Sequence, residues 1–366
     1  MFSIVSKRLL IAILLQLSGI LGAGMFVLPY VFSRSNFVFA TFGLIVLAYV
    51  MIQLNSFYTD IILSTKGDHQ LSGYSDIYFG RRLKILSLIN IFILGLGALF
   101  AYLQLGTSFI STLLPLTPNL STTIFFIAVS FFHLAKIPLL KNYYQVIPVL
   151  TIFIVIVLLS LALQLPSPPL ELAIPSWAFF GSTVFALTGF TVIPEVEEYL
   201  RPFPHKRHRL IASTIYGQVF AALIYFFFAF SIIHISGPYL TADVVTGLSY
   251  VSPNLARLVS FLGLILVFEA SLNFLMIFKE TFFRDFNLSL PNSYLLSFLI
   301  FAFSLIFLKV PLVTILSLTG SVTIFVSAII ICLIRLKINR GPKLIAISLL
   351  ILLVFFFGLL SELAVF

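Results

Sequence analysis

Eleven stretches of this chain run for about 18 residues or more with few charges: 9–33, 36–62, 84–112, 121–140, 143–164, 174–198, 209–235, 255–281, 292–309, 311–334 and 343–364. A helix crosses the hydrocarbon of a bilayer with roughly 20 mostly apolar residues. In lipid, only a helix or a closed barrel satisfies its own backbone. Of the 366 residues, 61% are hydrophobic and 9% charged, against about 45–50% apolar and about 25% charged in a soluble domain. That excess cannot be buried in a globule, so it faces lipid. The pattern predicts an all-α integral membrane protein with 11 transmembrane helices. No small-residue cleavage site follows the first apolar run, so that run reads as a retained span.

The charges orient the spans. With the N-terminus inside, 18 of the 21 basic residues fall in cytoplasmic loops, leaving only Arg34, Arg257 and Lys309 outside. Basic residues are retained on the cytoplasmic side during insertion. The expected location is the cytoplasmic (inner) membrane, with the N-terminus cytoplasmic and the C-terminus outside. The net charge of +9 is therefore topological, and no nucleic-acid partner is expected. Cys332, the single cysteine, excludes an intramolecular disulfide. Between spans, 64–82 reads as a short surface helix and 237–254 as an external loop able to shape a gate, with plain connection the alternative for both.

Two spans contain residues that break helices. "GMFVLP" at Gly24–Pro29 matches "GFTVIP" at Gly189–Pro194 at an offset of 165 residues. Five spans separate the two, so they enter the membrane from opposite sides. Paired Gly/Pro-interrupted segments in two inverted halves mark a transporter's binding site. The matched segments thus divide the chain into two inverted halves at about residue 165. Close helix packing through small residues is the competing reading, but Gly19, Gly22 and Gly24 do not share one helical face. Unwinding exposes N–H groups on one half-helix and C=O groups on the other. The first attract an anion, the second an ammonium or a metal cation. An α-amino acid carries both charges and fits that pair of poles.

"LGAGMFVLPY" at Leu21–Tyr30 resembles the amino acid/polyamine/organocation superfamily, nearest its hydroxy/aromatic amino acid permeases and amino acid–auxin permease relatives. "FALTGFTVIPEVEEYL" at 185–200 and "GDHQLSGYSDIYFG" at 67–80 are similar to the sixth span and first cytoplasmic loop of that group. The resemblance implies the leucine-transporter fold: two inverted five-helix repeats, 1–165 and 166–338, an additional helix at 339–366, and substrate between discontinuous helices 1 and 6. It further implies that the amides of Gly22, Ala23 and Gly24 take the substrate carboxylate. Carbonyls near Ser18 and Gly19, and those of Phe185, Ala186 and Leu187, would take the ammonium, with Gly189 and Phe190 beside the substrate. Thr191 stands where many members carry an acidic residue, and 11 spans replace the usual twelve or more.

An ionisable group inside the bilayer points to function. Glu269 has no basic residue closer than ten positions, Lys279 and Arg257 being the nearest, and is a candidate to carry a proton or to hold Na+ with Ser271. The family resemblance puts a small hydroxyl residue of a sodium site at Ser271. A structural glutamate is the alternative. Asn273 reads as a helix–helix hydrogen-bonding residue, His133 as structural, and Tyr58 and Asp60 as closing the second span. Glu195, Glu197 and Glu198 precede Arg201, Lys206 and Arg207. Glu198–Arg201 has pairing distance on a helix, so Glu195, Glu198 and Arg201 form a candidate inner gate or a plain interfacial charge network.

These readings converge on a secondary active transporter of an amino acid, with H+ or Na+ as coupling ion. The alternative is a non-transporting amino-acid sensor on the same fold. No H-E-x-x-H, G-x-S-x-G or Walker A pattern occurs, so an enzyme is not expected, nor a cofactor, nor an obligatory protein partner beyond membrane lipid.

Overall fold

The computed structural model describes residues 2–136, 146–165, 176–307 and 309–363. Among these residues all regular structure is helical. In chain order the helices are α1 (Phe2–Ile20), α2 (Ala23–Arg34), α3 (Phe37–Ser64), α4 (Leu71–Phe79), α5 (Arg81–Leu113), α6 (Pro118–Leu134), α7 (Val146–Ala162), α8 (Phe180–Ala186), α9 (Ile193–Leu200), α10 (Lys206–Ser236), α11 (Val245–Val251), α12 (Pro253–Glu280), α13 (Leu290–Ser304), α14 (Leu312–Ile338) and α15 (Pro342–Leu363). A 3-10 turn, Phe190–Val192, leads into α9, and a π-helical turn, Thr281–Asp285, ends α12.

Six helices are individually long and apolar enough to span a membrane, and the bent pair α1–α2 makes a seventh. The expected spans 121–140, 143–164 and 292–309 correspond to shorter helices of 17, 17 and 15 residues. Residues 137–145, at the junction of the first two, lie outside the described residues, as does the 165/166 repeat boundary on its C-terminal side. At 1.5 Å per residue, helices of that length reach about 25 Å, short of the roughly 30 Å hydrocarbon thickness.

The core is a set of helix–helix contacts through small residues. A Cβ added at Gly320 of α14 would sit 2.2 Å from the carbonyl oxygen of Gly181 in α8, so these backbones touch. α12 packs along α5, and α1 along α10. α15 adds a buried carboxylate: Glu362, 2% exposed, accepts from the Gly181 amide at 3.2 Å and so pins the last helix to the start of α8.

The loop at 64–82 does contain a helix, α4, but it is not a surface helix. Leu71, Ser72, Gly73, Tyr74 and Ser75 are buried. The reason is Asp285 at the end of α12, whose carboxylate accepts from Ser72 Oγ (2.6 Å) and from the Gly73 amide (2.9 Å). A carboxylate from a distant element thus satisfies the open first turn of α4. His133, on α6, hydrogen-bonds Ser297 of α13 at 2.8 Å and serves as helix–helix glue.

Candidate functional site

The first broken span bends by 62° between α1 and α2. Leu21 and Gly22 are the non-helical residues of that break, and Leu187–Gly189 part α8 from the 3-10 turn before α9. The amides of Gly22, Ala23 and Gly24 precede or open the first turn of α2 and find no backbone acceptor there, as helix N-termini require.

The two breaks pack directly on each other. A Cβ at Gly24 would lie 2.5 Å from Ala186 Cα, one at Gly19 2.6 Å from Val192 Cβ, and one at Gly189 2.6 Å from Ile20 Cγ1. Each motif glycine therefore removes the side chain that would hold the opposite break away.

The exposed carbonyls were expected to receive an ammonium group. The structure assigns several of them to side chains instead. Tyr225 on α10, fully buried, donates its hydroxyl to Ile20 O at 2.7 Å and lies 3.0 Å from Ala186 O. Gln218 donates to Leu187 O at 3.0 Å, and Gln16 to Gly189 O at 2.8 Å. The one proton of Tyr225 is shared between both breaks. Tyr225→Phe leaves one or both of these buried carbonyls short of a donor and is expected to cost about 1–3 kcal/mol of stability, read as a lower melting temperature of the detergent-purified protein.

A carboxyl group reaches the breaks from α12. Glu269, 2% exposed, receives a hydrogen bond from Ser18 Oγ of α1 through Oε1. Its Oε2 lies toward Asn273, one turn on, without a well-aligned hydrogen bond among the described residues. Ser271 does not share the contact: its hydroxyl turns back to Val267 O at 2.6 Å. Beside Ser18 lies a cavity lined by Ser18, Gly19, Tyr102, Thr191, Val192, Glu195, Ala270, Asn273, Phe274 and Ile277. Its volume of about 20 Å³ leaves room for roughly one water molecule, so the broken helices are closed upon each other.

Of the expected site residues, Ser18, Gly19 and Glu195 line this cavity. Gly22, Ala23, Gly24, Phe185, Ala186, Leu187 and Gly189 form the breaks around it. Phe190 instead packs edge-on against Tyr58, ring centroids 5.9 Å apart.

The expected gate residues are rewired. Arg201 pairs with Glu197, at 2.7 Å, and with both oxygens of Asp68, at 2.5 and 3.0 Å. The hydrogen bonds from Arg201 hold the Asp68 carboxyl below its usual range. Glu198 takes Arg284 at 3.4 Å, Lys206 takes Glu197 at 2.8 Å, and Glu195 points to the cavity. The i,i+3 pairing lost because Asp68, on the loop before α4, offers Arg201 a bidentate partner. Asp60, expected to close the second span, binds Arg335 of α14 at 3.0 Å.

Residues 5–236 match the tryptophan/tyrosine permease family. The chain belongs to that family. No curated protein matches it. Among solved structures, MhsT in complex with L-phenylalanine is 15% identical with a TM-score of 0.69, covering 96% of this chain and 98% of that one. The Eremococcus coleocola manganese transporter, in complex with an aromatic bis-isothiourea compound, is 12% identical with a TM-score of 0.71, covering 98% and 87%. At such identities the likeness is one of fold. This permease is therefore a multi-pass membrane transporter, not an enzyme, with a small-molecule substrate.

Proposed function

We propose that this permease is a secondary active transporter that moves an amino acid by alternating access, driven by symport of H+ or Na+. In this reading the chain has eleven spans, the shorter helices included. They form two inverted repeats, 1–165 and 166–338, with α15 outside that core. The basic end faces the cytoplasm, so the N-terminus is inside, the C-terminus outside, and the membrane is the cytoplasmic one. The observation that carries the proposal is the pair of breaks packed glycine to backbone, with a buried carboxylate hydrogen-bonded to one of them.

The amides of Gly22, Ala23 and Gly24 receive the substrate carboxylate. Since Tyr225 and Gln218 hold the carbonyls of Ala186 and Leu187, the ammonium is assigned to the Ser18–Gly19 side, where Glu269 supplies negative charge. Glu269 also serves the coupling ion, and for Na+ the hydroxyl of Ser271 is the second oxygen, which requires it to leave Val267 O. Arg201, Glu197 and Asp68 close the inner end. The ion pairs there are half-exposed, so each contributes little alone, and a gate built from them opens at small cost.

The test is uptake of labelled tryptophan, tyrosine, phenylalanine and a panel of other amino acids into proteoliposomes, under imposed H+ or Na+ gradients. Saturable, gradient-dependent uptake is expected. Binding without uptake under either gradient would assign the chain to the sensor class.

A further inference from the structure

Burying an ion without a counter-charge is expensive, and the chain holds one such ion at its basic end. Arg209, in the first turns of α10, is 3% exposed, and its Nε and Nη1 have no hydrogen-bond partner among the described residues. A guanidinium cannot shed its proton to escape the cost.

The carboxylates near it are committed elsewhere. Asp60 holds Arg335, Asp68 and Glu197 hold Arg201, Glu198 and Glu280 hold Arg284, and Asp76 holds Lys84. Asp285 caps α4, Glu195 lines the central cavity and Glu269 holds Ser18. Asp243 and Glu362 are bonded in the loop before α11 and at the start of α8. Of the twelve acidic residues only Glu171 is left. It falls outside the described residues.

A second cation converges on the same place. Arg8 of α1 lies 3.8 Å over the ring of Phe203, which meets Tyr199 edge-on with centroids 5.8 Å apart. Both Arg8 and Arg209 act electrostatically on the Tyr199 hydroxyl. Arg209 belongs to α10, a helix of 31 residues whose N-cap, His205, makes no side-chain cap. Its first-turn N–H groups are open, and helical side chains lean toward the N-terminus, which carries Arg209 toward them. The carboxylates that reach the first residues of α10, Glu197 on Lys206 at 2.8 Å and Asp60 near Arg207 at 4.0 Å, are already shared with Arg201 and Arg335, so the two guanidinium groups left over beside an uncapped helix start select a further anion. The planar donor fork of arginine matches a tetrahedral oxyanion in particular.

We propose that Arg209 and Arg8 bind a phosphate-type oxyanion at the N-terminus of α10. Because Arg8 sits on α1, half of the first broken span, a bound anion ties that half to α10 and holds the basic end shut. A free phosphate and a phospholipid headgroup share this chemistry.

The experiment uses the full chain, delipidated in neutral detergent without phosphate. Inorganic phosphate is titrated against chloride at matched ionic strength, with melting temperature as readout. A parallel series uses phosphatidylcholine nanodiscs with and without phosphatidylglycerol. A saturable rise with phosphate is expected in detergent, weakened about tenfold or more in Arg209→Gln and Arg8→Gln. Arg209→Gln is also expected to melt higher than wild type when phosphate is absent, since the uncompensated charge is gone. Arg8 is only partly buried, so its variant keeps the test open should Arg209→Gln fail to fold. If phosphatidylglycerol reproduces the rise and removes the phosphate response, the anion is a lipid headgroup; if the phosphate response persists, it is soluble. A wild type indifferent to both, or variants that respond as wild type does, would overturn the proposal.

Discussion

Gly24→Leu is expected to abolish amino-acid binding, by about a hundredfold or more in Kd, while the protein still inserts and elutes as a folded species. Even the first carbon of a side chain at this position would lie 2.4 Å from Ala186 Cβ and 2.5 Å from its Cα. One of those atoms is backbone and cannot rotate away. Overpacking of a tight contact typically costs about 1–3 kcal/mol, which a polytopic protein with long intact spans elsewhere survives. The two breaks do not: they must part, and the amides of Gly22 to Gly24 move relative to Ser18 and Glu269. Gly24→Ala carries the same Cβ without the further atoms and is expected to weaken binding by about tenfold. Labelled amino acid bound to detergent-purified protein, alongside size-exclusion profiles, reads both. Wild-type affinity in the leucine variant would remove the breaks from the binding site.

That position was visible in the sequence because glycine and proline are conspicuous inside an apolar run, and because the same six-residue pattern returns 165 residues later. Apolar runs likewise located the helices, since hydrophobic length is a one-dimensional property. Partners were not visible. Arg201 was matched to Glu198 by helical spacing, yet its strongest partner, Asp68, is 133 residues away and reaches it only through the loop before α4. Tyr225 sits in an apolar run where a tyrosine reads as packing or lipid-facing; nothing local reveals that its hydroxyl meets Ile20 and Ala186. Ser271 read as an oxygen ligand for Na+ beside Glu269, but its hydroxyl completes a bond within its own helix, a competition that spacing alone does not resolve. Arg209 read as one more basic residue of a cytoplasmic loop; its burial is a tertiary fact.

Glu269→Gln is expected to uncouple transport rather than to stop it. The amide is nearly the shape of the carboxyl and still accepts from Ser18 Oγ, so the contact between α12 and α1 persists. What it loses is the capacity to bind a proton or to balance Na+. Coupling means that ion and substrate alter each other's affinity by the same factor, typically about 5–150-fold. In the wild type, substrate Kd should therefore change by such a factor between low and saturating Na+, or across pH, according to which ion is used. In Glu269→Gln that factor should fall to about one. Accumulation against a gradient is lost, while exchange of labelled for unlabelled substrate at equal concentrations continues, because exchange needs only the site and its gates. Ser18→Ala separates the roles further: it removes the hydroxyl donor but leaves the carboxyl, so ion dependence persists with a shifted midpoint. A Glu269→Gln protein that keeps the full ion dependence of substrate binding would relocate coupling to another group, and Glu195, the carboxylate that lines the cavity, is the one the geometry then leaves.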